Sequence, residues 1–266
     1  MNRNKILLAT LLAASVFAGP SAYAQSWVGT ADYTAGSSEG DEDVVGPFNT
    51  YDAGAGVVLL QPTGMSGGTF TFDGVYQSYV TKHELSGVPV VAAGLDDTYE
   101  LTAVATFTES VSAIGGITVT GGTFNLYRDT TRDRDYTTDS GFSDGEAILT
   151  GTITSGAGAA AADLSFGVTD ITIAITDYDT SVFNPDTIAT GGGIFTLRMG
   201  SELDAPFLSG ITSVGGNTYD AGSGDLLYAA DGYLALAVPE AETYAMMLAG
   251  LGLVGFMARR RTRSMI

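Results

Sequence analysis

The sequence predicts an all-β protein with a single β-sandwich or jelly-roll domain. Short segments rich in Thr, Val, Ile and Phe recur along the chain, and Gly, Asp, Asn or Ser separate them, as is typical of strands and turns. No segment between residues 25 and 237 carries a sustained apolar stripe of helical period. The length of this region suits one β domain with a sizeable core.

The first 24 residues have the layout of a cleaved secretory signal. Basic Arg3 and Lys5 precede an apolar stretch at 6–17, and Ala22-Tyr23-Ala24 precedes Gln25. We therefore expect a signal helix over 1–24, cleavage between Ala24 and Gln25, and export through the Sec pathway. The acidic β domain then spans 25–237, and a tail spans 238–263.

Alternating apolar and polar residues define the predicted strands. The pattern is clearest in LTAVATFT (101–108), where every odd-numbered residue is apolar. Inside LSFGVTDITIAITD the apolar phase shifts, which predicts a bulge, bend or turn near Thr169 and Asp170. Polar or small residues predict loops over 37–49 and 155–163. The predicted strands are 69–74, 101–108, 117–129, 147–154, 164–177, 194–200 and 233–238.

Composition excludes several classes of function. The net charge is −19, and only five basic residues lie between Gln25 and Pro239, which disfavours nucleic acid and anionic lipid as partners. The chain has no cysteine, so disulfides, thiol catalysis and Cys-ligated metals are excluded. Its one histidine, His83, lies in VTKHELSG, where neither a catalytic triad nor a His-rich metal centre is evident. We expect a loop histidine that is solvated or hydrogen-bonded.

The densest acidic segment is RDTTRDRDYTTDSGFSDGE at 128–146. Calcium prefers carboxylate and carbonyl oxygens, so this loop is chemically suited to a calcium ion, the one cofactor that the sequence suggests. An EF-hand is disfavoured because Ser140 stands where that loop needs Gly. The alternative is a solvated acidic loop whose charge is offset by Arg128, Arg132 and Arg134. The candidate calcium ligands are Asp133, Asp135, Asp139, Asp144 and Glu146.

Evidence for catalysis is weaker. Asp177 and Asp179 would lie on one face of a strand, as a glycosidase-type pair requires, but an acidic domain offers many such pairs by chance. We assign no catalytic residue. Five tyrosines could stack on carbohydrate or simply pack into the fold, namely Tyr76, Tyr79, Tyr127, Tyr136 and Tyr178.

The tail combines an uncharged run with a block of arginines. Residues 244–258 contain no charge and would form a helix of about 22 Å, short against a hydrocarbon core of about 30 Å. Acidic residues lie before the run, and Arg259, Arg260 and Arg261 follow it. The positive-inside bias would hold these arginines in the cytoplasm. The tail is therefore predicted to be a C-terminal transmembrane helix, with the domain outside the membrane and the extreme C-terminus inside.

Val238-Pro239-Glu240, a Thr-Tyr pair, a Gly- and Leu-rich apolar run and the arginine cluster together resemble the C-terminal sorting signal of PEP-CTERM proteins. Ala241 stands where that family usually has proline. The resemblance implies a tail that gives transient membrane association and is processed by the membrane enzyme exosortase. It also implies a Gram-negative envelope or extracellular protein associated with exopolysaccharide, biofilm or floc. The segments at 72–81 and 129–145 are similar to flocculation-associated members.

Two functions follow as expectations. The first is a non-enzymatic structural or adhesive protein, exported and sorted to the cell surface, with extracellular polysaccharide as its partner. The alternative is a secreted carbohydrate-active hydrolase of β-sandwich fold. Asp-to-Asn substitutions would separate the two, because they would abolish turnover by a hydrolase and leave an adhesin bound to its polymer.

Overall fold

The computed structural model describes residues 25–34, 43–188, 192–200 and 209–238. The predicted signal helix, the transmembrane helix and the arginine cluster lie outside these residues. In the part of the chain that is described, no helix has the length and apolar character needed to span a membrane. Residues Ser26–Val238 form one compact unit. The elements below belong to this unit, apart from Gln25.

The described elements are sixteen strands and one short 3₁₀ helix at Ala221–Ser223. In chain order the strands are β1 (Gln25–Ser26), β2 (Gly29–Asp32), β3 (Val44–Phe48), β4 (Thr50–Ser66), β5 (Thr69–Tyr79), β6 (Lys82–Leu85), β7 (Val88–Val90), β8 (Glu100–Ser112), β9 (Gly116–Asp129), β10 (Glu146–Ala160), β11 (Phe166–Tyr178), β12 (Phe183–Asn184), β13 (Gly192–Gly200), β14 (Ser213–Val214), β15 (Asn217–Thr218) and β16 (Leu226–Val238).

Eight antiparallel strands close into a barrel in the order β4, β5, β8, β9, β10, β11, β13, β16. Closure rests on β16, which pairs with β13 on one side and with β4 on the other. The all-β prediction is confirmed. The predicted β-sandwich or jelly roll is wrong, because the main sheet closes on itself and does not form two facing layers.

The barrel interior is filled by side chains, as expected for eight strands. In β8 the odd residues from Leu101 to Phe107 are buried, whereas Thr106 and Thr108 are exposed, so the alternation predicted for this strand is confirmed. At the centre, the ring of Phe195 lies 5.2 Å from those of Tyr76 and Phe124.

β4, the longest strand, was not predicted from the sequence. Its centre is the unbroken apolar run Val57 to Leu60, in which all four side chains are buried. Val58 and Leu60 belong to the barrel core, whereas Val57 and Leu59 pack outside the barrel with Val214 of the β14–β15 hairpin. Because both faces are covered, the strand shows no alternation.

Three local predictions need correction. The predicted loop at 37–49 is wrong from Val44 onward, where β3 forms, and the loop at 155–163 is wrong up to Ala160, because β10 continues through its small residues. The predicted bulge, bend or turn near Thr169 and Asp170 is also wrong, because β11 pairs with β13 there without a register shift. The two register shifts between β10 and β11 lie elsewhere, at Thr150/Gly151 and at Ile153/Ser155.

The two ends of the barrel differ in composition. The hairpin end carries the turns at 67–68, 113–115 and 161–165. The opposite end, here called the aromatic end, holds a buried cluster of large rings packed around the small sheet of β12, β2 and β3. This cluster comprises Trp27, Tyr33, Phe48, Tyr51, Tyr99 and Phe183.

His83 lies inside this aromatic cluster and is fully buried on β6. Its Nε2 lies 2.8 Å from the Tyr33 hydroxyl, and its ring centroid lies 4.7 Å from that of Phe48. Burial lowers the pKa of His83 to about 3. The prediction of a loop histidine is wrong, because His83 lies on a strand. Of the two predicted environments, solvated or hydrogen-bonded, the structure shows the hydrogen-bonded one.

Candidate functional site

The predicted sorting segment begins where the last barrel strand ends. Leu236 of β16 donates its backbone N–H to Asn49 O at 3.0 Å and accepts one from Trp27 N at 3.0 Å. Val238 packs against the barrel core as the last residue of β16. The remaining predicted sorting residues, Pro239, Glu240, Arg259, Arg260 and Arg261, lie outside the described residues, as does Ala24 of the predicted signal cleavage site. Gln25, on the other side of that site, starts β1.

The acidic loop at 130–145 connects β9 to β10, and it brings three carboxylates together. Asp129, Asp133 and Asp144 each place one oxygen within 4.8 Å of the others. Asp133 and Asp144 are exposed and Asp129 is half-buried. Two of the five predicted calcium ligands therefore converge. Asp129 was not among the predicted ligands because it is the last residue of a predicted strand. Its position directly before the acidic loop was the signal that could have identified it.

The other three predicted ligands do not converge with this group. Asp135 accepts hydrogen bonds from the backbone of Thr137 at 2.7 Å and Thr138 at 3.3 Å, which lower the pKa of its carboxyl. Asp139 accepts from the backbone N–H groups of Gly215 and Gly216, both at 2.8 Å, and so ties the loop to the β14–β15 hairpin. Glu146 pairs with Arg128.

The loop arginines do not neutralise the three converging aspartates. Arg134 pairs with Asp96 and Glu100, and its guanidinium carbon lies 3.8 Å from the centroid of the Tyr79 ring. Arg132 donates to the backbone oxygen of Asp96 at 2.6 Å. Within the described ranges, none of the three aspartates has an ion pair. The loop is thus anchored by its arginines, while Asp129, Asp133 and Asp144 keep their negative charge unpaired.

The outer wall of β8 to β11 is covered by threonines, and we call this surface the threonine face. Thr106 Oγ1 and Thr123 Oγ1 lie 2.8 Å apart, and Thr123 is the register partner of Thr152. The segments 101–108, 116–127 and 147–160 contain no charged residue. The exposed threonines of this face are Thr106, Thr108, Thr118, Thr120, Thr123, Thr152, Thr154, Thr172 and Thr176.

The tyrosines proposed for sugar stacking do not form an exposed platform. Tyr76 is buried inside the barrel, and the other four are half-buried. Tyr136 donates its hydroxyl to Ala55 O at 2.6 Å, and Tyr178 bonds Asp186. Packing therefore accounts for these rings.

The carboxylates of Asp177 and Asp179, the suggested catalytic pair, accept hydrogen bonds from neighbouring residues in local turns. Asp177 accepts the N–H of Tyr178 at 3.0 Å, and Asp179 accepts both the N–H and the hydroxyl of Ser181, at 2.8 and 2.7 Å. These contacts account for the two residues as turn formers at the end of β11.

Comparison with known proteins identifies one feature. The family described as the PEP-CTERM protein-sorting motif matches residues 237–261. No curated protein and no solved structure matches the chain. The chain thus carries a PEP-CTERM sorting motif, as the resemblance of its tail suggested. The motif implies an exported protein that is sorted to the cell envelope or surface and processed by exosortase.

Proposed function

We propose that the barrel is a non-enzymatic structural or adhesive component of an extracellular matrix, and that it binds exopolysaccharide through its threonine face. The sorting motif at 237–261 is the observation that carries this proposal, because it directs the barrel to the cell surface. Matrix polysaccharide is the polymer that such a protein meets there.

The threonine face fits a carbohydrate ligand. Thr106, Thr123 and Thr152 form a row across three neighbouring strands, and every hydroxyl can both donate and accept a hydrogen bond. Sugar hydroxyls have the same dual capacity, so a polymer lying across the strands could bond at successive steps. Net contributions of about 0.5–1.5 kcal/mol per hydrogen bond would accumulate over such a row.

The charge distribution also favours this face over the rest of the surface. The chain has 30 acidic residues against 11 basic ones, and an anionic polymer would be repelled by most of it. The central outer segments of β8, β9 and β10 carry no charge. An anionic polysaccharide therefore meets the least electrostatic repulsion at the threonine face.

Polysaccharide isolated from the matrix of the producing cells provides the test. The full chain and a Thr106→Val/Thr123→Val/Thr152→Val variant would be compared by co-sedimentation with the polymer, with release of reducing ends measured in parallel. Because valine removes the hydroxyl and keeps the branched shape, we expect binding to fall by at least about ten-fold without loss of the barrel.

The matched control is Thr212→Val, which removes one exposed hydroxyl away from the threonine face. We expect it to bind like the wild type, and we expect no release of reducing ends from any of the proteins. Equal binding by the triple variant would refute the assignment of the threonine face. Catalytic shortening of the polymer would refute the non-enzymatic role.

A further inference from the structure

A buried carboxyl group lies inside the hairpin end of the barrel. The inward register of β8 that begins at Leu101 continues through Phe107 to Glu109, which is 2% exposed. Its Oε2 has no hydrogen-bond partner among the described residues. Burial raises the pKa of Glu109 to about 7. A carboxyl group in this setting is costly to ionise unless a cation or a set of donors compensates for it.

Glu109 borders a small cavity of about 20 Å³. Leu60, Phe72, Ile117 and Met199 are among the apolar residues that line it. Such a volume holds one group of the size of a water molecule. Among the described residues that line this cavity, Glu109 is the one acidic group and none is basic, so Glu109 lacks a cationic partner there.

A larger cleft of about 220 Å³ adjoins this cavity, and Val111 and Leu164 line both. Its other walls include Phe70 of β5, and Ala113 and Ala161 from the turns of the hairpin end. At about 10–15 Å³ of such volume per water molecule, it has room for a chain of several carbon atoms. The hairpin end thus combines a deep carboxyl group with an outer, mainly apolar cleft.

The chemistry of the occupant follows from this arrangement. A primary ammonium group is close to water in size and carries three donors, so it suits the space beside a carboxylate. An alkyl chain suits the apolar cleft, and the net charge of −19 favours the approach of a cation. We propose that the hairpin end binds a small aliphatic primary amine, with the ammonium group against Glu109 and the alkyl chain in the adjoining cleft.

Two other titratable groups lie at this site. Tyr228 lines the cavity and donates its hydroxyl to Leu164 O at 2.5 Å, and burial raises its pKa above the usual value. Asp163 lines the cleft, where hydrogen bonds from Ser165 lower its pKa. Tyr228 is therefore neutral and Asp163 ionised from about pH 5.5 to about pH 8. Glu109 is the group at this site whose charge changes across that range.

Isothermal titration calorimetry of the full chain with hexylamine, hexan-1-ol and hexanoate tests the proposal, since the three probes share one alkyl chain. At about pH 8 we expect hexylamine to bind at least about ten-fold more tightly than hexan-1-ol, and hexanoate not to bind. Glu109→Gln keeps the shape of the side chain and removes its charge, so hexylamine affinity should fall by at least about ten-fold. Asp97→Asn removes one exposed charge elsewhere and should leave the affinity unchanged.

The pH profile of the wild type gives a second readout that needs no variant. Hexylamine stays protonated between about pH 8 and pH 5.5, whereas Glu109 gains a proton, so the affinity should fall by at least about ten-fold. Equal affinities for amine and alcohol would overturn the proposal. It would also be overturned by unchanged binding to Glu109→Gln, by a flat pH profile, or by the absence of hexylamine binding.

Discussion

At the residue scale, His83 and Glu109 are buried ionisable groups at opposite ends of the barrel. His83 Nε2 has a hydrogen-bond partner in the Tyr33 hydroxyl, whereas His83 Nδ1 and Glu109 Oε2 have none among the described residues. Burial favours the neutral form of both, lowering the pKa of His83 to about 3 and raising that of Glu109 to about 7. The two groups therefore have opposite effects on the pH dependence of stability.

His83 should make the fold sensitive to acid. The unfolded chain binds a proton at His83 below about pH 6.5, whereas the folded chain resists that proton down to about pH 3. The stability from neutral His83 is therefore complete above about pH 6.5 and declines as the pH falls toward 3. Between about pH 7 and pH 4, we expect the unfolding free energy of His83→Asn to fall by about 3 kcal/mol less than that of the wild type. Urea denaturation at the two pH values measures this difference.

Tyr51→Phe is the matched control for this prediction. It removes the hydroxyl that lies 3.0 Å from the Tyr33 hydroxyl in the same cluster, but it leaves His83 in place. Its stability should decline with acid as steeply as that of the wild type. If His83→Asn and the wild type lose stability in parallel between those two pH values, His83 is not the acid-sensitive group.

At the scale of single elements, alternation explains which strands could be predicted. β8 has one face in the core and one in solvent, so its period of two is visible in the sequence. β4 is covered on both faces at Val57 to Leu60, and its apolar run does not distinguish a strand from other buried structure. The burial of Glu109 was not predicted. It could have been, because Glu109 continues the odd-numbered, inward-facing positions of β8, where an acidic residue is unexpected.

The acidic loop shows that the ligands of a metal site are also hard to predict from composition alone. Its composition suggested calcium, but the choice of ligands depends on where the chain turns, and Asp135 and Asp139 turn toward backbone N–H groups. The calcium hypothesis stays a prediction, now centred on Asp129, Asp133 and Asp144. Three unpaired carboxylates within 4.8 Å repel one another, and a divalent cation would relieve that repulsion.

We expect calcium at about 5 mM to raise the melting temperature relative to chelator, with a dissociation constant on the order of 10⁻⁴–10⁻³ M, as for exposed extracellular sites. Asp133→Asn/Asp144→Asn should abolish the increase, since it removes two of the three charges. Asp135→Asn, a loop residue outside the group, should retain it. Identical melting of the wild type in calcium and in chelator would exclude the site.

At the scale of the whole molecule, closure of the barrel could not be predicted from local patterns. β4 and β16 pair although most of the chain separates them in sequence. Such a long-range pairing depends on the shape of the assembled sheet and leaves no local sequence pattern. Gly232 of β16 illustrates the constraint, since a Cβ there would lie 2.4 Å from the Tyr76 hydroxyl. The sorting tail was predictable for the opposite reason, because its motif, apolar run and arginines are contiguous in the sequence.

The most direct test of sorting and matrix association is intact-mass and top-down mass spectrometry of the protein from the native cell surface and medium. We expect mature chains that begin at Gln25 and end near residues 239–242, because the signal is removed and the motif is processed after the last barrel strand. A protein recovered with its C-terminus intact at Ile266 would contradict this account. It would identify the tail as a permanent anchor.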